Sequence, residues 1–372
     1  MIVKNEAQSI AGTIRSVLGV VDRYCILDTG SEDNTVALIT STFGTTPGRV
    51  HVEPFVDFAT TRNRVLELAG KECQYTLMLS GDEYLQNGQQ LRQSLLSHSS
   101  PPGGVEVVIQ YGETEYNSIR VCNTDYRWEY VGVTHEYVTS RTPQTKVALL
   151  PHSTDRDVFV LHDLSNFDVR KKRKRWELDA QLLQNDLRKN PDNTRTAFYL
   201  AQSYDCLNDL VQAYNYYNLR FEMGGWFEER YEALVRMAGL LERMGYDWPA
   251  CEELYLKAYE FLPIRAEPLY LIARHWYNAK QYQSALLFAA KAYAIPFPTS
   301  IRLFINPTIY HYYIPEMLSH ICSHMEDQNQ LGLQATQKAL KTNPGNTALL
   351  FNLRVFQNRI GTKRDIQHVA LS

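Results

Sequence analysis

The first part of the chain alternates short apolar runs with stretches of helical periodicity. The runs have the length of buried strands, and they lie at residues 1–3, 24–27, 49–55 and 75–79. Between the first two runs, apolar residues recur at helical spacing: Ile10, Ile14, Val17 and Leu18. Strands that alternate with helices predict a mostly parallel sheet, and such sheets bind ligands beyond the carboxyl ends of their strands.

From residue 105 to residue 162 the pattern differs, because short β-like runs follow one another without helices between them. These runs lie at residues 104–112, 118–123, 130–138, 146–151 and 157–163. We expect them to add strands to one side of the sheet and to build the wall of a cleft.

The rest of the chain has a helical pattern with an internal repeat. A small residue recurs about every 35 residues, at Ala213, Ala250 and Ala285. Repeats close near Pro263 and Pro296, with Pro191 before the first repeat and Pro344 after the last. The pattern resembles the tetratricopeptide repeat, a helix-turn-helix unit of about 34 residues. We interpret most of the 24 tyrosines as packing between repeats, and the stretch 296–315 as an insertion.

These patterns predict two domains, an α/β domain over residues 1–165 and a tetratricopeptide-like helical solenoid over 166–372. A chain of 372 residues is long enough for two cores. With 38 basic and 41 acidic side chains the formal net charge is −3, which argues against a nucleic-acid binder with a basic surface. The basic run at 170–175 is interpreted as the solvated start of a helix, and its alternative is a nuclear-localisation or nucleic-acid signal.

Two further features bear on the compartment. No run of 18 apolar residues occurs, so we expect no membrane span. Lys4 and Glu6 stand where a secretory signal would be apolar, and the six cysteines are scattered without a CxxC pair. We therefore expect a cytoplasmic protein with six buried, reduced thiols.

Carboxylates follow two of the predicted strands. Asp28 ends the run at 24–27, and Asp82 and Glu83 follow the run at 75–79. Carboxylates that meet at strand ends suit a hard divalent cation such as Mn²⁺ or Mg²⁺, which keeps positions open for phosphate oxygens. The alternative is that Asp28 and Asp82 are helix N-caps or turn residues.

Five segments in this order resemble glycosyltransferase family 2, whose fold is GT-A, a Rossmann-like mixed sheet. They are MIVKNE, DTGSEDNT, DFATTRN, LMLSGDEYL and RWEYVGVTHEYV. The resemblance covers residues 1–165, and tetratricopeptide-like repeats also occur behind such domains. It implies transfer of a sugar from a nucleotide sugar to an acceptor hydroxyl with inversion. One position departs from the pattern, since Ser80 stands at the first acid of the DxD-type metal motif.

The resemblance assigns roles to individual residues of this chain. It puts donor binding on Val3, Asn5, Glu6, Asp28, Arg62, Ser80, Gly81 and Glu83. It puts the metal on Asp82, with His162 as a second ligand. Glu136 is the expected general base, with Asp163 as another candidate carboxylate. His135 and Trp128 fall on the acceptor side, although His135 could equally be a packed core histidine.

We therefore expect a metal-dependent glycosyltransferase that uses a nucleotide sugar, with a UDP-sugar favoured. Its acceptor would be a glycan or a protein, and the repeat domain would bind acceptor or partner, or form a homo-oligomer. The alternative is a non-catalytic repeat scaffold whose transferase domain is degenerate, and Ser80 favours it. A nucleotidyltransferase is a third hypothesis, disfavoured because KNEAQS is not a glycine-rich phosphate loop.

Overall fold

The computed structural model describes residues 1–97, 101–112, 114–150, 158–162, 169–301 and 303–370. The chain forms two compact units, Met1–Lys189 and Asn190–Ser372. The division falls after Lys189 and not after residue 165, because helix α5 (Val169–Lys189) belongs to the first unit. Among the described residues no helix is long and apolar enough to cross a membrane.

The first unit opens with a parallel sheet of three strands in the order β1 (Ile2–Val3), β2 (Tyr24–Asp28) and β3 (Gly48–Val52). Helices α1 (Ile10–Val17), α2 (Thr35–Phe43) and α3 (Phe58–Ala69) follow these strands. The predicted alternation of strands and helices is confirmed here. Its apolar positions, Ile10, Ile14, Ile26 and Ile39, are fully buried in one core.

A second, mixed sheet has the order β4–β7–β6–β11–β5, with β10 beside β6. Its elements are β4 (Tyr75–Leu77), β5 (Glu83–Gln86), β6 (Gly104–Tyr111), β7 (Thr114–Asn123), β10 (Val147–Leu149) and β11 (Phe159–His162). Helix α4 (Gly88–Ser97) follows β5. The expectation of one mostly parallel sheet is wrong for this region. The β6–β7 hairpin is antiparallel, and β4 pairs antiparallel with β7 instead of extending the first sheet.

The predicted run at 130–138 is not one strand. It is divided between β8 (Trp128–Val131) and β9 (Tyr137–Ser140), which form an antiparallel pair. The loop between them holds Gly132 and His135, whose φ angles of 107° and 49° do not allow a continuous strand.

The second unit is an array of helices in which consecutive members pack together. They are α6 (Thr194–Cys206), α7 (Leu210–Glu222), α8 (Phe227–Met244), α9 (Trp248–Phe261), α10 (Glu267–Asn278), α11 (Tyr282–Ala294), α12 (Ile314–Ser323), α13 (Asn329–Thr342) and α14 (Thr347–Ala370). A π-helical turn, Ile309–Tyr313, leads into α12. The predicted helical repeat is confirmed, and Ala213 and Ala285 are fully buried where helices meet. Ala250 is only half-buried, because Cys251 takes the buried position in α9.

Candidate functional site

The loops that follow β1 and β2 are hydrogen-bonded into one structure. The Asn5 N–H donates to Ser31 Oγ at 2.9 Å, and Asn5 Oδ1 accepts from the Glu32 N–H at 2.8 Å. The Glu6 N–H donates to Thr35 Oγ1 at 2.8 Å. These bonds hold Asn5 and Glu6 at the carboxyl ends of neighbouring parallel strands, where α/β sheets bind ligands.

Asp28 and Val3 contribute to this edge in different ways. Asp28 is buried, and its Oδ2 accepts from the N–H groups of Gly30 and Ser31 at 3.1 and 2.9 Å. Its Oδ1 accepts from the Ser31 hydroxyl. The Asp28 carboxylate thus stabilises the turn that follows it, which agrees with the alternative that Asp28 is a turn residue. The Val3 side chain packs in the core, and its carbonyl accepts from the Thr29 N–H.

The turn that carries Ser80 and Gly81 lies directly against the first loop. A Cβ added to Gly81 would come 2.8 Å from Glu6 Cγ, and the Gly81 carbonyl accepts from Thr13 Oγ1 at 2.8 Å. Because no larger residue fits without a shift, glycine allows the β1 loop and the β4–β5 turn to meet.

Two almost buried arginine–glutamate pairs meet at Ser80. Arg62 Nε donates to Glu136 Oε1 at 2.5 Å, and Arg120 Nη2 donates to Glu83 Oε1 at 2.6 Å. The Ser80 N–H donates to Glu83 Oε2 at 2.8 Å, while Ser80 Oγ accepts from Arg62 Nη2 at 3.4 Å. The side chains of the four charged residues are 4–12% exposed. Ser80 therefore links two ion pairs whose formal charges cancel.

The two arginines keep donors that no group of the described structure accepts. Arg62 Nη1 and Arg120 Nε are both buried and have no hydrogen-bond partner. A buried donor left unsatisfied costs about 1–3 kcal/mol, so these two N–H groups make the cluster the candidate site of the first unit.

Arg120 belongs to this cluster, although the sequence reasoning did not name it. It lies on β7 at the bulge where the pairing with β6 shifts by one residue, and an arginine within the apolar run SIRVCN was the available signal. Burial alone would lower the pKa of Arg120, but the Glu83 carboxylate raises it overall, so the guanidinium stays charged. Burial also raises the pKa of Tyr130, whose ring lies 5.5 Å from the Arg62 guanidinium, so its hydroxyl stays protonated.

Asp82 and His162 come together through the register of two strands. β11 pairs antiparallel with β5, with His162 opposite Glu83. His162 Nε2 lies 3.5 Å from Asp82 Oδ2, and both side chains are partly exposed. The Tyr111 ring lies 4.9 Å from the His162 ring.

This pair fits a metal ion only in part. A carboxylate oxygen and an imidazole nitrogen at this separation suit Mn²⁺, which can take its remaining ligands from water and phosphate. No group of three or more His, Cys, Asp or Glu side chains that could hold a metal occurs in the described part of the chain. Asp163, the other candidate carboxylate, lies outside the described residues.

The two acceptor-side candidates have different surroundings. His135 is exposed in the loop between β8 and β9, one residue before Glu136, so it is not a packed core histidine. Trp128 packs against Gly104 of β6, and its Nε1 donates to the Asn123 carbonyl at 3.1 Å. The Trp128 contacts are those of a residue that stabilises the β-sheet side of the unit.

The helical unit contains a separate cavity of about 340 Å³. Acidic and basic side chains line it in equal number: Asp205, Glu232, Glu267, Arg236, Arg243 and Arg265. Tyr231, Tyr255 and Phe304 add aromatic surface. A cavity of this volume falls at the lower end of the range for small-ligand sites.

No protein-family model matches the chain, and no curated protein matches it. Among solved structures it is similar to YrrB, a TPR protein with an unusual peptide-binding site, at 14% identity and a TM-score of 0.36 over 48% of this chain and 82% of YrrB. Yeast Tom70 matches at 15% identity and a TM-score of 0.34, over 51% of this chain and 37% of Tom70. A thermophilic TPR protein of Thermus thermophilus matches at 15% identity and a TM-score of 0.31, over 50% of this chain and 93% of that protein.

All three similarities are low, both in identity and in TM-score. At such identities and TM-scores they carry no argument about function.

Proposed function

We propose that the chain is a metal-dependent glycosyltransferase that moves a sugar from a nucleotide sugar to an acceptor hydroxyl. The observation that carries the proposal is the cluster at Ser80, where two buried arginines retain unused donors beside two glutamates. It lies next to the hydrogen-bonded loops of β1 and β2, which are the family's expected place for the base and ribose. The sugar chemistry itself comes from the family resemblance, with UDP-sugar as the favoured donor.

In this proposal the acceptor oxygen attacks the anomeric carbon while the bond from that carbon to the diphosphate oxygen breaks. The hydroxyl proton passes to Glu136. Since Glu136 Oε1 is held by Arg62, the proton would go to Oε2. The unused N–H groups of Arg62 and Arg120 would donate to donor oxygens as negative charge develops. Asp82 and His162 would hold the Mn²⁺ or Mg²⁺ ion, whose chemistry is to neutralise charge on the leaving diphosphate.

The test is thermal unfolding with UDP, GDP, CDP and dTDP, each with and without Mn²⁺. We expect UDP to raise the melting temperature in a Mn²⁺-dependent manner, since a ligand at a hundred times its Kd stabilises a protein by about 2.7 kcal/mol. Asp82→Ala should abolish the metal dependence. Asp22→Asn, which changes an exposed carboxylate paired with Arg92, should retain it. The absence of a shift with every nucleotide would overturn the proposal.

The second candidate is a repeat scaffold without catalytic activity. The charged cavity of the helical unit favours it, because a ligand held there would need no donor chemistry. A chain that binds no nucleotide but binds a partner through residues of the helical unit would fulfil this function. In either function the helical unit would bind a protein or glycan, or a second copy of the chain.

A further inference from the structure

The loop that carries Glu136 contains two residues with positive φ angles, and one of them is not glycine. Gly132 has a φ of 107°, and His135 is a non-glycine residue with a φ of 49°. A Cβ at Gly132 would come 3.3 Å from the Thr134 carbonyl oxygen. A non-glycine residue in the left-handed region costs free energy, so contacts outside the loop must hold it in place.

Those contacts come from two helices of the same unit. The Val133 carbonyl accepts from the Phe58 N–H at the start of α3 at 3.0 Å. Thr134 is buried, and its Oγ1 donates to Asp179 Oδ1 of α5 at 2.9 Å. The loop is therefore fixed at Val133 and at Thr134 before the chain reaches Glu136.

Asp179 is also tied to α3. Arg175 Nε donates to Asp179 Oδ1 at 2.9 Å, and the Arg175 guanidinium lies 3.7 Å from the centre of the Phe58 ring. Phe58 and Arg62 are four residues apart on α3 and so lie on one face of the helix. One face of α3 thus contacts Arg175 at Phe58 and Glu136 at Arg62.

We infer that Asp179 is a positioning residue, which acts through Thr134 to hold the Glu136 loop against the Arg62 face of α3. A buried carboxylate is costly unless it is paired, and Asp179, only 4% exposed, uses its oxygens on Arg175 and on this loop. The part of the inference that concerns sugar transfer rests on the proposed function. The mechanical part, that α5 fixes the loop, does not.

The mechanical part is tested by hydrogen exchange of the segment 132–138. Asp179→Ala and Thr134→Val should each accelerate its exchange about tenfold, because the loop then opens more often. Thr134→Ser keeps the hydroxyl and should restore the protection. Glu177→Gln is the matched control, since Glu177 forms an exposed pair with Arg173 on the same helix. Unchanged exchange in both Asp179→Ala and Thr134→Val would overturn the inference.

The catalytic part is tested by transfer kinetics with a UDP-sugar. Thr134→Val should lower kcat about 10- to 100-fold through misplacement of Glu136, while the donor KM stays within about twofold. Thr134→Ser and Glu177→Gln should keep kcat near that of the wild type. If Glu177→Gln lowers kcat as much as Thr134→Val does, the positioning role of Asp179 is contradicted. It is also contradicted if Thr134→Val leaves kcat unchanged. Failure of the wild type to bind any nucleotide contradicts the proposed function instead, and the exchange result still decides the role of Asp179 in the loop.

Discussion

At the scale of single residues, Ser80 joins the two arginine–glutamate pairs of the cluster. Its N–H donates to Glu83 and its hydroxyl accepts from Arg62, so it connects the two ion pairs. An acid at this position would add a third negative charge to a cluster of two arginines and two glutamates. Serine keeps the cluster neutral, which lowers the cost of burying it.

Gly81 gives a prediction at the same scale. Gly81→Ala should lower the free energy of unfolding by about 1–3 kcal/mol, because its Cβ would press on Glu6 Cγ at 2.8 Å. Urea unfolding measures the change. Gly345→Ala, at a position with open space around it, should stay within about 0.5 kcal/mol of the wild type. Equal stability of the two variants would show that the β1 loop can move away at no cost.

At the scale of elements, the insertion that interrupts the helical period is attached by its backbone. The Leu303 N–H donates to Glu228 Oε2 of α8 at 2.7 Å, and the Leu303 carbonyl accepts from Arg265 Nη1 at 3.2 Å. Arg265 is 2% exposed and pairs with Glu267 at the start of α10. One ion pair therefore fixes both a helix start and the inserted segment.

Arg265→Ala tests this arrangement. The free energy of unfolding of the helical unit should fall by about 3–5 kcal/mol, because Glu267 would be left as a buried and unpaired charge. Lys341→Ala, at an exposed position near the end of α13, should change it by less than about 0.5 kcal/mol. Chemical unfolding followed by far-ultraviolet circular dichroism measures both. A much smaller loss in Arg265→Ala, close to that of Lys341→Ala, would mean that the pair contributes little.

At the scale of the whole molecule, both units bury free thiols. No disulfide joins the six cysteines, and Cys122 is buried in the first unit and Cys322 in the second, whereas the expectation of a buried thiol is wrong for Cys206, which is exposed. Burial raises the pKa of Cys122 and of Cys322 to about 12. The absence of disulfides among the six cysteines agrees with the absence of a CxxC motif from the sequence.

Thiol alkylation gives the corresponding prediction. A pKa near 12 leaves about one part in ten thousand of Cys122 and Cys322 as thiolate at about pH 8, and the thiolate is the reactive form. We expect iodoacetamide to modify Cys206 first and to leave those two unmodified until the chain unfolds. Mass spectrometry of the native and urea-unfolded chain measures the order. Early modification of Cys122 would mean that the mixed sheet opens in the native state.

Part of the candidate site follows from local sequence. The strand end at Asp28 and the helix that carries Arg62 could be located from apolar runs and turn residues, whereas strand β5, which begins at Glu83, and the loop that carries Glu136 were not predicted. Arg120 could not be identified as part of the site, because its partner Glu83 is 37 residues away and the strand pattern only shows that it lies on a strand. The antiparallel β4 and the membership of α5 in the first unit were also beyond local patterns.

The sequence by itself determined most of the segments that are strands and helices, because burial periodicity and turn chemistry act within about ten residues along the chain. Only the tertiary structure decided which charges meet. Arg62 pairs with Glu136 across 74 residues, and Thr134 binds Asp179 across 45. Such pairs depend on strand register and helix packing, because together these bring opposite charges into contact and so lower the cost of burying them. The two partners are far apart in the chain, so no local sequence pattern reveals the pair.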